Sequence, residues 1–199
     1  HATSRFTTGA GPFARVAARR LGWDLDLQTV LRQKVVIRDP LGIVPQDAPF
    51  TIGLDRTGGL PAGVHVKPDT SGRHDTIKLG WARDQVPSEP VAKPACPPGF
   101  PLEVLARAAT IVPGLETYLS RGPEVLAHDG GFYARSRDGL PLIGPHGANG
   151  AFIVGGLAGF GSMVGCAAGE LLGAWVLDEP VPDFAAAFDP RRPASASTA

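Results

Sequence analysis

Short apolar stretches separated by turn residues make up most of the chain between Leu27 and about Asp84. The run Lys34-Val35-Val36-Ile37, within Leu31–Arg38, is typical of a buried strand. Three further stretches have the length and composition of strands: Phe50–Leu54, Gly63–Lys67 and Thr76–Trp81. Turn residues lie between the strands at Asp39–Gly42, Gly58–Gly59 and Asp69–Gly72. This pattern predicts an antiparallel sheet built from hairpins.

Two helices are predicted before and after this sheet region. The first runs from about Phe13 to Leu21, is rich in Ala and Arg, and ends at Gly22. The second follows a proline-rich loop and runs from Pro101 to Leu119, with a break near Pro113. Helical spacing puts four apolar residues of this segment on one face: Leu102, Leu105, Ala106 and Ala109.

The last third of the chain is the most informative. A strand region covers Gly131–Ile143, and a second strand, Ala151–Val154, leads through the turn Gly155–Gly161 into a helix from Ser162 to Leu177. A Gly-rich turn that opens a helix presents free N–H groups and the positive end of the helix dipole. Such a turn suits an anion or a polarised carbonyl group.

This turn does not match the common glycine motifs. The dinucleotide fingerprint G-x-G-x-x-G fails because Val164 stands at the third glycine position after Gly159 and Gly161. Ser162 is not a nucleophile elbow, because Phe160 and Val164 stand where G-x-S-x-G needs glycine. On spacing alone, a tight connection that binds no ligand remains as good an interpretation as a binding site.

Charge and cysteine content exclude several classes of function. Nineteen Lys and Arg balance nineteen Asp and Glu, so the basic excess of a nucleic-acid or anionic-membrane surface is missing. The two cysteines make no disulfide framework, and the five histidines lack metal-ligand spacing. No stretch is long and apolar enough to span a bilayer, and the N-terminus does not read as a signal peptide. We therefore expect a cytoplasmic protein without a metal.

The start of the sequence is unusual for a complete reading frame. Residue 1 is His, and the only methionine is Met163. We expect either a processed chain or a piece of a longer protein.

Motifs near both ends of the chain resemble one known family. The segments Gly139–Pro145, Phe152–Gly161 and Ala168–Leu172 are together similar to the C-terminal signature of the D-amino-acid oxidase superfamily, which includes glycine oxidase, sarcosine oxidase and dimethylglycine dehydrogenase. Near the start, Ala10–Ala14 resembles the family turn A-G-x-[WF]-[AS], which ends the last long strand of the FAD-binding core. The resemblance covers nearly the whole chain, up to about Arg192.

The resemblance implies an FAD cofactor and its contacts. In the family, the turn equivalent to Gly156–Met163 lies over the pyrimidine end of the flavin, and the next helix points its N-terminus at the C2 carbonyl and N1. Backbone N–H groups and the helix dipole would stabilise the negative charge that reduced flavin develops there. The chemistry implied is hydride transfer to flavin N5 from a carbon next to nitrogen, followed by hydrolysis of the imine. The implied cofactor contacts are Gly11, Pro12, Gly156, Ala158, Gly159, Phe160, Gly161, Ser162 and Met163.

Three positions depart from the family pattern. Met163 stands where several family oxidases have a Lys that helps oxygen react, which favours a dehydrogenase or a poor oxidase. Tyr133 stands where amino-acid oxidases have an Arg for the substrate carboxylate; we take it as the candidate catalytic residue, with a core or rim tyrosine as the alternative. Gly131 replaces the cysteine that binds flavin covalently in sarcosine oxidases, so noncovalent FAD is expected.

The resemblance also implies an α+β fold, with a mixed or antiparallel substrate-domain sheet and C-terminal pieces of an FAD-binding α/β domain. We expect the end of the FAD-binding domain at residues 1–25 and the substrate-binding sheet domain with its helix at 26–142. The closing strand and helix of the FAD-binding domain are expected at 143–190, and a disordered tail at 191–199.

The family's G-x-G-x-x-G segment has no counterpart in this sequence and would precede it. We therefore expect a C-terminal half whose apolar faces at Arg5–Leu21 and Ala151–Leu177 are exposed. Its partners would be a small amine or amino-acid substrate and a missing N-terminal half or second subunit. The alternative is a non-catalytic fragment or interaction subunit that binds no flavin.

Overall fold

The structure, a computed structural model, describes residues 5–54, 62–70, 74–82, 86–147 and 150–193. The chain divides into two compact units. The first comprises His1–Val30, Pro87–Pro90 and Phe132–Ala199, and the second comprises Leu31–Val86 and Val91–Gly131. The predicted turn at Gly58–Gly59 and the tail beyond Pro193 lie outside the described residues.

A five-stranded sheet carries the second unit. Its strands are β2 Leu27–Arg38, β3 Thr51–Ile52, β4 Val64–Pro68, β5 Thr76–Trp81 and β6 Val125–Ser136. They stand in the order β3-β4-β5-β2-β6, and the pairs β3–β4, β4–β5 and β2–β5 are antiparallel, as predicted. Strands β2 and β6 are long and continue into the first unit.

The core of the second unit forms where helix α2, Phe100–Ala109, packs on one face of this sheet. Alternate strand residues point into that core, as the period of two requires. They are Val35, Ile37, Val64, Val66, Ile77, Leu79 and Trp81. The predicted break near Pro113 is observed, because a 3₁₀ turn at Pro113–Leu115 separates α2 from α3, Glu116–Arg121.

The buried face of α2 agrees with the predicted one only in part. Leu102 is 51% exposed and Ala106 is also exposed, whereas Val104 and Ala108 are completely buried. Leu105 belongs to both stripes and is buried, and Ala109, also on the predicted face, is half-buried and packs against the core. The predicted stripe and the observed stripe both have helical spacing. Phe100, at the start of the helix, lies in the observed stripe, which packs on the sheet.

The first unit is built on a three-stranded sheet in the order β1-β8-β7. Strand β1, Phe6–Thr8, pairs in parallel with β8, Ala151–Gly155, and β7, Leu142–Pro145, pairs with β8 in antiparallel. Helix α1, Ala14–Arg20, follows β1, and helix α4, Gly161–Leu177, follows β8. These elements match the predicted strand–turn–helix segments, and the mixed sheet completes the predicted α+β fold.

Helix α4 is apolar around most of its circumference but is poorly covered. Glu170 is its only charged residue, and only Ala168 and Leu171 are buried. Met163 is 72% exposed, and Leu177 is exposed as well. Along the described chain, no helix combines the length and apolarity that a membrane crossing requires.

We predict that Leu105→Ala lowers the free energy of unfolding by about 2–5 kcal/mol, because it removes a fully buried side chain from the α2–sheet core. Leu102→Ala, a change of the same size on the same helix, is expected to cost less than about 0.5 kcal/mol. Urea unfolding followed by circular dichroism measures both. Equal losses, or a larger loss for Leu102→Ala, would reinstate the face predicted from spacing.

Candidate functional site

Two turns meet at one edge of the first unit's sheet. Because β1 and β8 run parallel, with Thr8 beside Ile153, the turns that leave their carboxyl ends lie on the same side. A Cβ added at Gly9 would lie 3.4 Å from Cγ1 of Val154, so the two chains are close there. Gly11 and Pro12 follow in the first turn, and Gly156–Gly159 form the second. Carboxyl ends of parallel strands are where open α/β sheets bind ligands.

The second turn has an unusual backbone. Gly156, Ala158 and Gly159 have φ values of +69°, +49° and +94°, in the left-handed region. Glycine adopts these angles without strain, whereas Ala158 pays a steric cost. The N–H of Ala158 donates a 3.0 Å hydrogen bond to the carbonyl of Ala134 in β6, which holds this residue in place.

Tyr133 packs directly on the turn. A Cβ at Gly159 would lie 2.3 Å from Cε2 of the Tyr133 ring, so only glycine leaves room for this contact. Tyr133 as a whole is 42% exposed. Burial alternates along this part of β6, which puts Arg135 and Arg137 on the same side as Tyr133. Arg137 forms an ion pair with Asp26 at 3.2 Å.

The start of α4 has open backbone donors. The N–H groups of Gly161 and Ser162 have no hydrogen-bond acceptor among the described residues, and no side chain caps the helix at Phe160. The next two amides, of Met163 and Val164, both donate to the carbonyl of Phe160, at 2.8 and 3.0 Å. The helix therefore begins with two unsatisfied donors at its positive end.

The opposite end of α4 is compensated. The Arg5 guanidinium donates a hydrogen bond to the carbonyl of Val176 and pairs with Asp178, the residue that ends the helix. A cation at the C-terminus matches the negative end of the dipole. Only the N-terminal end thus lacks a partner within the described chain, and the 17-residue helix directs its field there.

One residue at this edge was not singled out from the sequence. Arg15 lies one turn after Pro12, and both line a pocket of about 200 Å³ with Ser88. The Nε atom of Arg15 is buried and has no hydrogen-bond partner among the described residues. The only signal in the sequence was a cation close behind the Gly11-Pro12 turn.

The remaining predicted contacts differ in what they can offer. The side chains of Phe160, Ser162 and Met163 are exposed, while Gly156 is buried beside Leu27 and Ser136. The amides of Ala158, Phe160 and Met163 already donate to carbonyls of the chain itself. The donors available to a ligand are thus fewer than the predicted set and concentrate at Gly161 and Ser162.

A family model for FAD dependent oxidoreductases (DAO) matches residues 6–175. The chain belongs to this family. The resemblance noted in the sequence is thereby confirmed at the level of the superfamily. No curated protein matches the chain.

Solved structures share the fold at low sequence identity. Glycine oxidase from Geobacillus kaustophilus aligns with a TM-score of 0.75 and 22% identity over 98% of this chain and 47% of its own. L-proline dehydrogenase from P. horikoshii aligns with a TM-score of 0.70 and 19% identity, over 94% of this chain and 46% of its own. Iminodiacetate oxidase from Chelativorans sp. BNC1 aligns with a TM-score of 0.68 and 22% identity, over 92% of this chain and 45% of its own. This FAD dependent oxidoreductase family member therefore spans less than half the length of each of these structures.

The residues at this edge fit the flavin of an FAD dependent oxidoreductase. Two open N–H groups beside a helix N-terminus can bond a carbonyl or an anionic ring nitrogen. Glycine at 156 and 159 leaves room for the Leu27 side chain and the Tyr133 ring, so the turn that leads to these amides packs closely on the chain itself.

We predict that Gly159→Ala lowers the free energy of unfolding by about 1–3 kcal/mol, because its Cβ meets the Tyr133 ring and its φ is unfavourable for alanine. Gly165→Ala is the matched control, since it lies in α4 with open space around its Cβ position. It is expected to add about 0.5–1 kcal/mol instead. Denaturant unfolding gives both values, and a harmless Gly159→Ala would refute the close contact with Tyr133.

Proposed function

We propose that this chain is the C-terminal half of an FAD-dependent oxidoreductase that removes a hydride from the carbon next to nitrogen in an amine or amino acid. The observation that carries the proposal is the pair of open amides at Gly161 and Ser162, at the positive end of a helix whose other end is compensated. In the flavin, negative charge develops at the pyrimidine end on reduction, and fixed donors stabilise it without reorganising.

The proposed cofactor contacts follow from the two turns. The amides of Gly161 and Ser162 would bond the pyrimidine end of the flavin, and Gly156, Ala158 and Gly159 would lie under the ring. Phe160 and Met163 would border it, and Gly11 and Pro12 would contact it from the neighbouring turn. Bound FAD supplies the hydride acceptor. The proposal makes the FAD noncovalent, because Gly131 offers no side chain for attachment.

The exposed surfaces of the first unit support the idea of a missing half. Among the strands that the structure describes, β1 has a neighbour on one side only, and it pairs with that neighbour, β8, in parallel. Parallel strands normally lie in sheets covered on both faces. Phe6, Phe13 and Val16 are exposed beside it, together with much of α4. We propose that an N-terminal half or second subunit covers these residues and provides G-x-G-x-x-G.

In this proposal the domains keep the boundaries expected from sequence. Residues 1–25 and 143–190 belong to the FAD-binding domain, and 26–142 to the substrate-binding sheet domain. Tyr133, which packs on Gly159, would face the substrate at the junction of turn and strand.

The substrate class is proposed from the relatives. Their names refer to glycine, L-proline and iminodiacetate, all small amino acids or amines with the nitrogen next to an oxidisable carbon. Met163, with its exposed side chain, stands where a Lys would help oxygen react, which favours a dehydrogenase.

The test is flavin reduction by amines in the longer protein recovered from the upstream reading frame. We predict that it copurifies with FAD, that denaturation releases the FAD, and that glycine, L-proline or an N-methyl amino acid bleaches the flavin absorbance anaerobically. If the flavin absorbance returns only slowly after air is admitted, the reduced flavin reacts poorly with oxygen. That result would agree with Met163 in place of the Lys and with a dehydrogenase.

Two results would contradict the proposal. A reading frame without G-x-G-x-x-G, or a protein that stays colourless and gains no flavin on titration with FAD, would leave the non-catalytic interpretation in its place. The two open amides of Gly161 and Ser162 would then be only a structural feature of the strand-to-helix connection.

A further inference from the structure

The Arg192 guanidinium donates hydrogen bonds to several residues around the turn between β6 and β7. Its Nε and Nη2 atoms donate to the two carboxylate oxygens of Asp138, each at 2.8 Å. The same guanidinium donates to the carbonyls of Leu140 and Pro141, at 3.0 and 3.1 Å. Both charged side chains are only 13% exposed. This fork-shaped pairing is the strong, geometrically specific form of an ion pair.

Asp138 links Arg192 to the turn between β6 and β7 through hydrogen bonds. Its Oδ1 accepts hydrogen bonds from the Ser136 hydroxyl at 2.7 Å and from the Leu140 N–H at 3.1 Å. The Arg192 guanidinium holds the pKa of the Asp138 carboxyl well below its ordinary value, so the acceptor stays ionised. The carboxylate therefore fixes both ends of this short turn.

The strand that ends at this turn supports the Gly-rich turn. Ser136 is buried, and its backbone nitrogen lies 3.7 Å from the Cβ position of Gly156. Arg135 forms an antiparallel bridge with Leu157, and Ala134 accepts the hydrogen bond of Ala158. Three consecutive residues of β6 thus contact three consecutive residues of the Gly-rich turn.

We infer that Arg192 is a positioning residue for the Gly-rich turn: through Asp138 it fixes the end of β6, and through β6 it sets where the open amides of Gly161 and Ser162 lie. The consequence for flavin binding rests on the proposed function. The positional effect on the turn can be measured without a flavin.

Arg191 provides a matched control. It is the neighbouring arginine, but its guanidinium pairs with Asp189, two residues away in the same segment, and its side chain is 58% exposed. Arg191→Ala therefore removes one positive charge from the same segment as Arg192→Ala does, but it leaves the hydrogen bonds of Asp138 intact. Exposed ion pairs of this kind contribute little to stability.

The first experiment is hydrogen–deuterium exchange on the chain itself, in Arg192→Ala, Asp138→Ala, the double variant and Arg191→Ala. The bonded amides of Ala158, Phe160 and Met163 report on the turn, and strand β5 in the second unit reports on general destabilisation. We expect exchange of the turn amides to rise roughly tenfold or more in the first two variants. The rise in the double variant should be less than additive, because Arg192 acts mainly through Asp138 and also bonds the Leu140 and Pro141 carbonyls directly. Arg191→Ala and β5 are expected to match the wild type.

Three outcomes would overturn the inference. If the turn amides of Arg192→Ala exchange at the wild-type rate, Arg192 has no effect on the Gly-rich turn. Equal acceleration in β5 makes the effect general unfolding, and additive effects in the double variant mean that Arg192 does not act through Asp138. Arg192→Lys adds a further check, because lysine keeps the charge but cannot form the fork. Full protection in that variant would contradict a role for the fork geometry.

A second measurement separates this inference from the proposed function. FAD affinity of the longer, flavin-binding protein is compared between wild type, Arg192→Ala and Arg191→Ala. We expect a loss of roughly tenfold or more in Arg192→Ala only. Accelerated exchange with an unchanged FAD affinity would contradict the positioning role. A wild-type protein that binds no FAD would refute the proposed function and leave the exchange result standing.

Discussion

The start of α4 is held open by its own backbone, and the candidate site depends on that constraint. The chain leaves β8 through three residues with positive φ, so it turns into the helix without placing an acceptor in front of Gly161 and Ser162. Arg5 satisfies the other helix end. The result is a fixed, one-sided electrostatic field, which an anion or a ring that gains negative charge can use without rearrangement of the protein.

The contacts that fix this turn come from far along the sequence. Ala158, the one residue without glycine's freedom among the three, is held by the carbonyl of Ala134, and Gly159 lies under the ring of Tyr133. Behind them, Asp138 and Arg192 close the end of β6. A precise binding surface needs such support, because binding groups act only when their own positions are set by packing and hydrogen bonds.

Local pattern predicted the types of the elements but not every boundary or contact; β6, for example, begins at Val125 and not at Gly131. The strands and α4 follow from apolar runs and flanking glycines, and Gly156 and Gly159 marked the turn because glycine adopts positive φ freely. The buried face of α2 was predicted only in part because Leu102 and Val104 lie on two stripes of equal helical spacing, and only packing on the sheet distinguishes them. The Ala158 conformation and the Tyr133–Gly159 contact depend on how β6 lies against the turn, which no local pattern encodes. Arg192 was overlooked because an Ala, Ser and Pro-rich tail surrounds it.

The central claim is that the start of α4 faces the flavin. The most direct measurement is the redox potential of the flavin bound to the longer protein, compared between Ser162→Asp, Ser162→Ala and wild type. A carboxylate in the first turn of α4 should stabilise the helix, by about 0.3–1 kcal/mol, because it faces the positive end of the dipole. The same charge should make flavin reduction harder, since it stands where the reduced ring becomes negative. The account predicts a raised free energy of unfolding together with a lowered potential in Ser162→Asp, and neither change in Ser162→Ala. An identical potential in all three proteins would contradict the claim that this helix start faces the flavin.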